Sequence, residues 1–170
     1  MDSYILSFIK KMSYFFEHKK ISNIIYLHDE DDNERLDHVI FLETEDGDFI
    51  GIYIRGMNPH FSSNRIYDLD DFNLFANYER LIEHKENIIF KIEYVCLFFS
   101  SEYNELLGFY LSNKDISSSL FVLFSQDEID VKKNYSKSDV IEIIKNKYSS
   151  EGFITYEKKS ESGWEDLKIE

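Results

Sequence analysis

The residues best placed to do chemistry in this 170-residue chain are an acidic run, five histidines and one cysteine. Asp29, Asp31 and Asn33 match the first three side-chain ligands of an EF-hand calcium loop. The match then stops. Position six is Glu34 where the sharp turn needs glycine, and position twelve is Ile40 where a bidentate glutamate belongs. The reading is a solvated acidic loop with no tight calcium site and no metal ligands assigned; a weak divalent-ion site is the alternative. His18, His28, His38, His60 and His84 fall on different segments and make no His-Glu-x-x-His or His-x-His pair. Cys96 is alone, so no intramolecular disulfide and no cysteine zinc site can form. A Cys96–His nucleophile pair stays open, but the thiol lies in the most apolar strand face, as a small buried hydrophobe does. The six glycines are scattered. They form no nucleophile elbow, phosphate loop or dinucleotide fingerprint, and nothing calls for a cofactor.

Charge distribution is the informative feature. The formal net charge is −14, which repels nucleic acid and acidic lipid and attracts basic partners. Between His28 and Asp48 ten carboxylates face Arg35 alone. They are Asp29, Glu30, Asp31, Asp32, Glu34 and Asp37, then Glu43, Glu45, Asp46 and Asp48. Two explanations stand: solubility, and steering toward a basic partner. Under the second, the carboxylates at 29–34 and 43–48 form or border the binding surface, with Phe49 and Tyr53 as aromatic anchors. Lys132, Lys133, Lys137, Lys145 and Lys147 gather around a predicted C-terminal helix and read as a solvated, dipole-compensating face, with no nucleic-acid groove.

The elements that must carry these residues follow from hydrophobic spacing. Ile5, Phe8, Ile9, Met12, Phe15 and Phe16 make a helical stripe over residues 3–18, with Asp2 or Ser3 as its cap. Ile21 to Leu27 reads as a first strand. His28 to Asp37 reads as a loop. Asp46-Gly47 between two β-rich runs predicts a two-residue hairpin turn. That register pairs Glu45 with Asp48, Thr44 with Phe49, Glu43 with Ile50 and Phe41 with Ile52. It sets Val39, Phe41, Ile50, Ile52 and Ile54 on a core face, opposite Thr44, Phe49, Tyr53, His38 and Arg55.

Met57 to Tyr67, with Pro59, reads as irregular. Asp68 to Glu83 reads as a helix capped by Asp68 or Asp70, with Asp71 in its first turn and Phe72, Phe75, Tyr78 and Ile82 on one stripe. Asn87 to Phe99 is the strongest strand signal. A run of that length spans roughly 40 Å, so a bend or bulge is expected within it. Leu106 to Leu111 and Leu120 to Phe124 continue as an antiparallel meander, with Gly108 marking a bulge or a close backbone approach. Ser136-Lys-Ser-Asp139 resembles a capping box ahead of Val140, Ile143, Ile144 and Tyr148. Gly152 closes that helix and Phe153 to Tyr156 is the last strand. The tail from about 158 either docks through Trp164, Leu167 and Ile169 or stays mobile.

The fold class is therefore α+β: one domain over 1–170, with a single mainly antiparallel sheet and two or three packed helices. The hairpin 38–55 and strand 88–99 are expected in that one sheet, with helix 3–18 packed on it. No stretch approaches a membrane span, the N-terminus lacks a signal-peptide pattern, and a reducing cytoplasmic location is the default.

Ala, Pro and Gly are scarce and Ile, Asn, Tyr and Phe abundant, the bias of an AT-rich coding sequence. A small acidic α+β chain of this kind with no catalytic motif resembles the immunity proteins of bacterial polymorphic-toxin and contact-dependent-inhibition systems. The resemblance is one of type across the whole chain. It implies a non-enzymatic protein that binds and blocks one cognate basic toxin domain, often a nuclease, by electrostatic and steric occlusion. A phage anti-defence protein or DNA mimic shares the same acidity. An enzyme whose site is assembled from scattered His, Tyr and Asp residues is the alternative from a different class.

Overall fold

The computed structural model describes residues 3–55, 58–63, 80–149, 152–159 and 163–167. In chain order these form α1 (Ser3–Phe16), β1 (Lys20–Asp29), β2 (Arg35–Thr44), β3 (Phe49–Arg55), β4 (Asn58–Ser62), β5 (Leu81–Lys91) and β6 (Tyr94–Ser100). There follow β7 (Leu106–Ser112), β8 (Ser119–Phe124), β9 (Ile129–Lys133), α2 (Lys137–Lys147), β10 (Phe153–Lys159) and β11 (Glu165–Leu167). The class is α+β and mainly antiparallel, but there are two sheets where one was expected. One has the order β4-β3-β2-β1-β5 and the other β11-β10-β6-β7-β8-β9. They belong to two compact units, residues 20–89 with 125–129, and residues 1–19 with 90–124 and 130–170.

The expected long strand is where the sheets part. It breaks at Ile92-Glu93, whose backbone N–H groups find acceptors in different segments. Ile92 N–H donates to Lys19 O at 2.9 Å, beside the start of β1, and Glu93 N–H to Ser112 O at 3.0 Å, at the end of β7. The hairpin 38–55 and residues 94–100 thus lie in different sheets. Alternating Ile88, Phe90 and Ile92 are buried before the break, and Val95 to Phe99 are buried without alternation after it. Pattern alone did not mark the change.

In the five-stranded sheet the hairpin register differs by one residue from expectation. Glu43 pairs with Phe49, Leu42 with Ile50, Phe41 with Gly51 and Val39 with Tyr53. Asp46-Gly47 is in the turn, but the loop has three residues: Thr44 N–H donates to Asp48 O at 2.9 Å and Gly47 N–H to Thr44 O at 3.0 Å. Gly47 takes φ +82°, the left-handed step that a three-residue hairpin loop needs. A one-residue slip exchanges partners across faces. Val39 and Phe41 therefore share a face with Tyr53, in a cluster with Ile25, Leu27 and Leu36, against which Phe49 packs. Ile40, Leu42, Ile50 and Ile52 take the other face and are buried too.

Three further expectations are corrected here. Asn58–Ser62 is a strand, not irregular chain, and pairs with β3. Pro59 is tolerated because β4 is an edge. Leu81, Ile82 and Glu83 begin β5 instead of ending a helix. The rest of that predicted helix, with Asp68, Asp70 and Asp71, lies outside the described residues save Arg80. Arg35 to Asp37 belong to β2, so the acidic loop is shorter than expected.

The six-stranded sheet lies between α1 and α2. On one face Phe8 meets Phe99 edge-on at 6.0 Å and Phe16 meets Phe109 at 5.2 Å, which seats α1. The full stripe of Ile5, Phe8, Ile9, Met12, Phe15 and Phe16 is buried. Each such side chain contributes about 1.5–3 kcal/mol relative to exposure. On the other face Val140 and Ile144 of α2 pack with Cys96, Phe98, Tyr110 and Phe121. The Ser136–Asp139 capping box forms: Asp139 N–H donates to Ser136 Oγ at 3.2 Å and Ser136 N–H to Asp139 Oδ2 at 3.0 Å. Tyr148 Oη donates to Phe124 O at 3.1 Å, tying the other end of α2 to β8. Lys132 and Lys133 are on β9 and not on the helix.

Cys96 is completely buried, and burial pushes its thiol up to about 12. Labelling of the native protein by a thiol reagent is expected to run at the rate of unfolding, since only the exposed thiolate reacts. Labelling at the rate of an unfolded control contradicts this packing.

Candidate functional site: acidic ends of one sheet

The expected acidic surface divides in two. The 30–34 loop precedes β2 and the 45–48 tip follows it, so the two lie at opposite ends of that strand. Ten residues at about 3.3 Å each hold them roughly 30 Å apart. That exceeds a Debye length of about 8 Å at physiological salt, so they act on a partner as separate patches.

At the tip much of the charge is matched locally. Lys85 Nζ donates to both Glu43 oxygens at 3.0 and 3.1 Å, and Asn23 Nδ2 to Glu43 Oε2 at 2.7 Å. The Glu43 side chain is only 17% exposed. Lys20 Nζ reaches Glu45 Oε1 at 2.7 Å. Asp46 and Asp48 are exposed at the turn. Of the two expected anchors, Tyr53 is only 4% exposed inside the Val39–Phe41 cluster, and Phe49 is half-buried against the same cluster. The register explains both: it turns the face expected to look outward toward the core.

The other end is denser. Glu30, Asp31, Asp32 and Glu34 are exposed, and Asp29 is half-exposed at the end of β1. The loop is tightly built. Asp29 N–H donates to Glu34 O and Asn33 N–H to Asp29 O, both at 2.9 Å. Asn33 takes φ +58°. Asp31 N–H donates to Asp29 Oδ1 at 3.0 Å, and Glu34 N–H to Asp32 Oδ1 at 2.9 Å. Aspartates that bond the backbone two residues on make Asx turns, and here they fix the carboxylates in place. His28 Nδ1–H donates to Asn33 O at 3.1 Å, and the ring lies 4.1 Å from that of His84 on β5. Arg80 reaches Glu30 at 3.4 Å across the surface, an exposed pair worth at most about 1 kcal/mol. Among the described residues no three His, Cys, Asp or Glu side chains are grouped to hold a metal.

A second polar cluster is half-buried and was not anticipated. Tyr94 on β6 donates its hydroxyl to Glu157 Oε2 on β10. Lys137, the first residue of α2, donates to the same oxygen at 2.6 Å and sits 5.2 Å from the centre of the Tyr94 ring. Burial favours the neutral Glu157 carboxyl, but the hydrogen bonds from Lys137 and Tyr94 and the lysine charge outweigh it and hold the group below its usual range. Burial, then Cys96 and Glu157 beside it, push the Tyr94 phenol far above its usual range. The cluster ties the start of α2 to β6 and β10. Its members are 43 and 20 residues apart in the chain, and no linear spacing joins them.

No helix among the described residues is long and apolar enough to cross a membrane. No family model matches the chain, and neither curated proteins nor solved structures give a match.

Proposed function

We propose that this is an acidic binding protein of the immunity type, which captures a basic toxin domain and blocks it by occlusion. The observation that carries the reading is the 29–34 loop. Four exposed carboxylates stand together on a hairpin whose backbone is fixed by its own Asx turns. Such a loop presents negative charge without an ordering cost on binding, the condition for fast electrostatic capture. The 43–48 tip plays the lesser part, because Glu43 and Glu45 already hold lysines.

The test needs the partner, captured by pull-down from the native host. Replacing Glu30, Asp31, Asp32 and Glu34 with Gln or Asn is expected to slow association about tenfold or more and to flatten its salt dependence. The same change at Glu45, Asp46 and Asp48 is expected to have a smaller effect. Equal loss from both sets of changes overturns the assignment to the loop.

A further inference from the structure

The histidines fall on different segments of the sequence, but the fold brings His28 on β1 beside His84 on β5, the neighbouring strand. Their ring centres are 4.1 Å apart and the rings are tilted by 36°. Asn33 O can only accept, so the 3.1 Å contact makes His28 Nδ1 the donor and leaves Nε2 of the neutral ring with its lone pair. A metal-binding imidazole is held in this way, by its other N–H on a backbone carbonyl. His84 is exposed, so its ring can reorient toward an ion. Asp29, Glu30, Asp31, Asp32 and Glu34 lie in the adjoining segment and attract cations to this end of the sheet. The basic side chains nearby are engaged. Arg35, opposite His28 in the β1–β2 register, lies over the Tyr26 ring at 4.4 Å and donates to Ile129 O at 2.8 Å. Arg80 reaches Glu30, and Lys85 holds Glu43.

The ring separation selects the kind of ion. An ion about 2.0 Å from each ligating nitrogen lies about 3.1 Å from each ring centre. Two rings on one ion then have centres roughly 4.4 Å apart at a right angle and roughly 5.1 Å apart at a tetrahedral angle. The observed 4.1 Å is close to the first and well short of the second. Right-angle positions belong to square-planar and octahedral ions, and imidazole nitrogen suits the late first-row divalent metals over Ca²⁺ and Mg²⁺. We propose that His28 and His84 form a two-nitrogen site for such an ion, Cu²⁺ or Ni²⁺ in preference to Zn²⁺, with water in its remaining positions. The site needs no third protein ligand, and it is independent of the basic-partner reading.

The test is calorimetric titration of the tag-free, full-length protein with CuCl₂, NiCl₂ and ZnCl₂, with electron paramagnetic resonance on the copper form. The expected result is one tight Cu²⁺ per chain, held about tenfold or more tighter than in either single-histidine variant, because two linked ligands act as a chelate. Nickel should bind more weakly than copper, and zinc more weakly than nickel. His28→Asn keeps an N–H for Asn33 O while removing Nε2, and His84→Ala changes an exposed side chain, so both should stay folded by denaturant titration. The copper spectrum should show coupling to two imidazole nitrogens in the wild type and to one in each variant. His18→Asn, at an exposed histidine of the other compact unit, is the control and is expected to change nothing. Variants that bind copper as tightly as the wild type overturn the site. Displacement by millimolar Ca²⁺ or Mg²⁺ assigns the ion to the loop carboxylates and overturns it as well, and zinc bound more tightly than nickel overturns the right-angle geometry.

Discussion

Replacing Gly108 with alanine is expected to lower the unfolding free energy by about 1–3 kcal/mol, and valine to lower it further. Gly108 sits mid-strand in β7, opposite Phe98 on β6 and Leu123 on β8. A Cβ built there would lie 2.6 Å from Val122 O and 3.3 Å from Leu123 Cα, both backbone atoms of the next strand. A side chain can rotate away from such a clash, but a hydrogen-bonded strand inside a sheet cannot. The β6–β7 register also shifts between Phe98 and Phe99, so the irregularity lies beside the close approach. Gly163→Ala is the control, because a Cβ there meets nothing within 4 Å and is expected to change stability by less than about 0.5 kcal/mol. Urea unfolding of the two variants decides it. Equal stability for both would mean that β7 and β8 are not packed this closely.

The second large effect is at Glu157. Its side chain is 12% exposed and that of Lys137 is 28% exposed, so the pair is sheltered but not sealed. Glu157→Ala strands both Lys137 and the Tyr94 hydroxyl, at an expected cost of about 2 kcal/mol, below the figure for fully buried pairs because of solvent screening. The sign of the pH dependence follows from the direction of each shift. Glu157 titrates lower in the folded protein, so its contribution is complete above the ordinary glutamate range. It is lost as pH falls through that range toward the lowered folded value. Cys96 and Tyr94 titrate higher in the folded protein, so the unfolded chain releases their protons first. Stability should decline once pH rises above about 9, the ordinary value for a thiol. Glu157→Gln should flatten the acid limb and leave the Cys96 part of the alkaline decline. A variant with an unchanged acid limb would mean that Glu157 contributes nothing there.

Much of this architecture was legible because local rules agreed. The α1 stripe, the Ser136–Asp139 box, the meander and the burial of Cys96 each rest on a pattern with one solution. The hairpin register had two. Residues 39–42 are apolar on both faces, so neither face was marked as outward, and an Asp-Gly pair suits a two-residue loop and a three-residue loop alike. Residues 58–62 were hidden by Pro59, which excludes a central strand but not an edge. The acidic window misled in another way. Residues 28–48 are one cluster in sequence, but the extended strand through their middle sends its charges to opposite ends. The Tyr94–Glu157–Lys137 cluster and the His28–His84 pair join residues far apart in the chain, where spacing carries no signal.

If the loop at 29–34 captures a basic partner, as proposed above, the rate of association carries the signature. It is read by stopped-flow mixing with the captured partner at low and physiological salt. The wild-type rate should fall steeply with salt, and the protein with Glu30, Asp31, Asp32 and Glu34 neutralised should associate slowly at both. Wild-type and neutralised proteins that associate at the same rate and with the same salt slope would rule out capture by the loop, and would leave the acidity as a solubility feature.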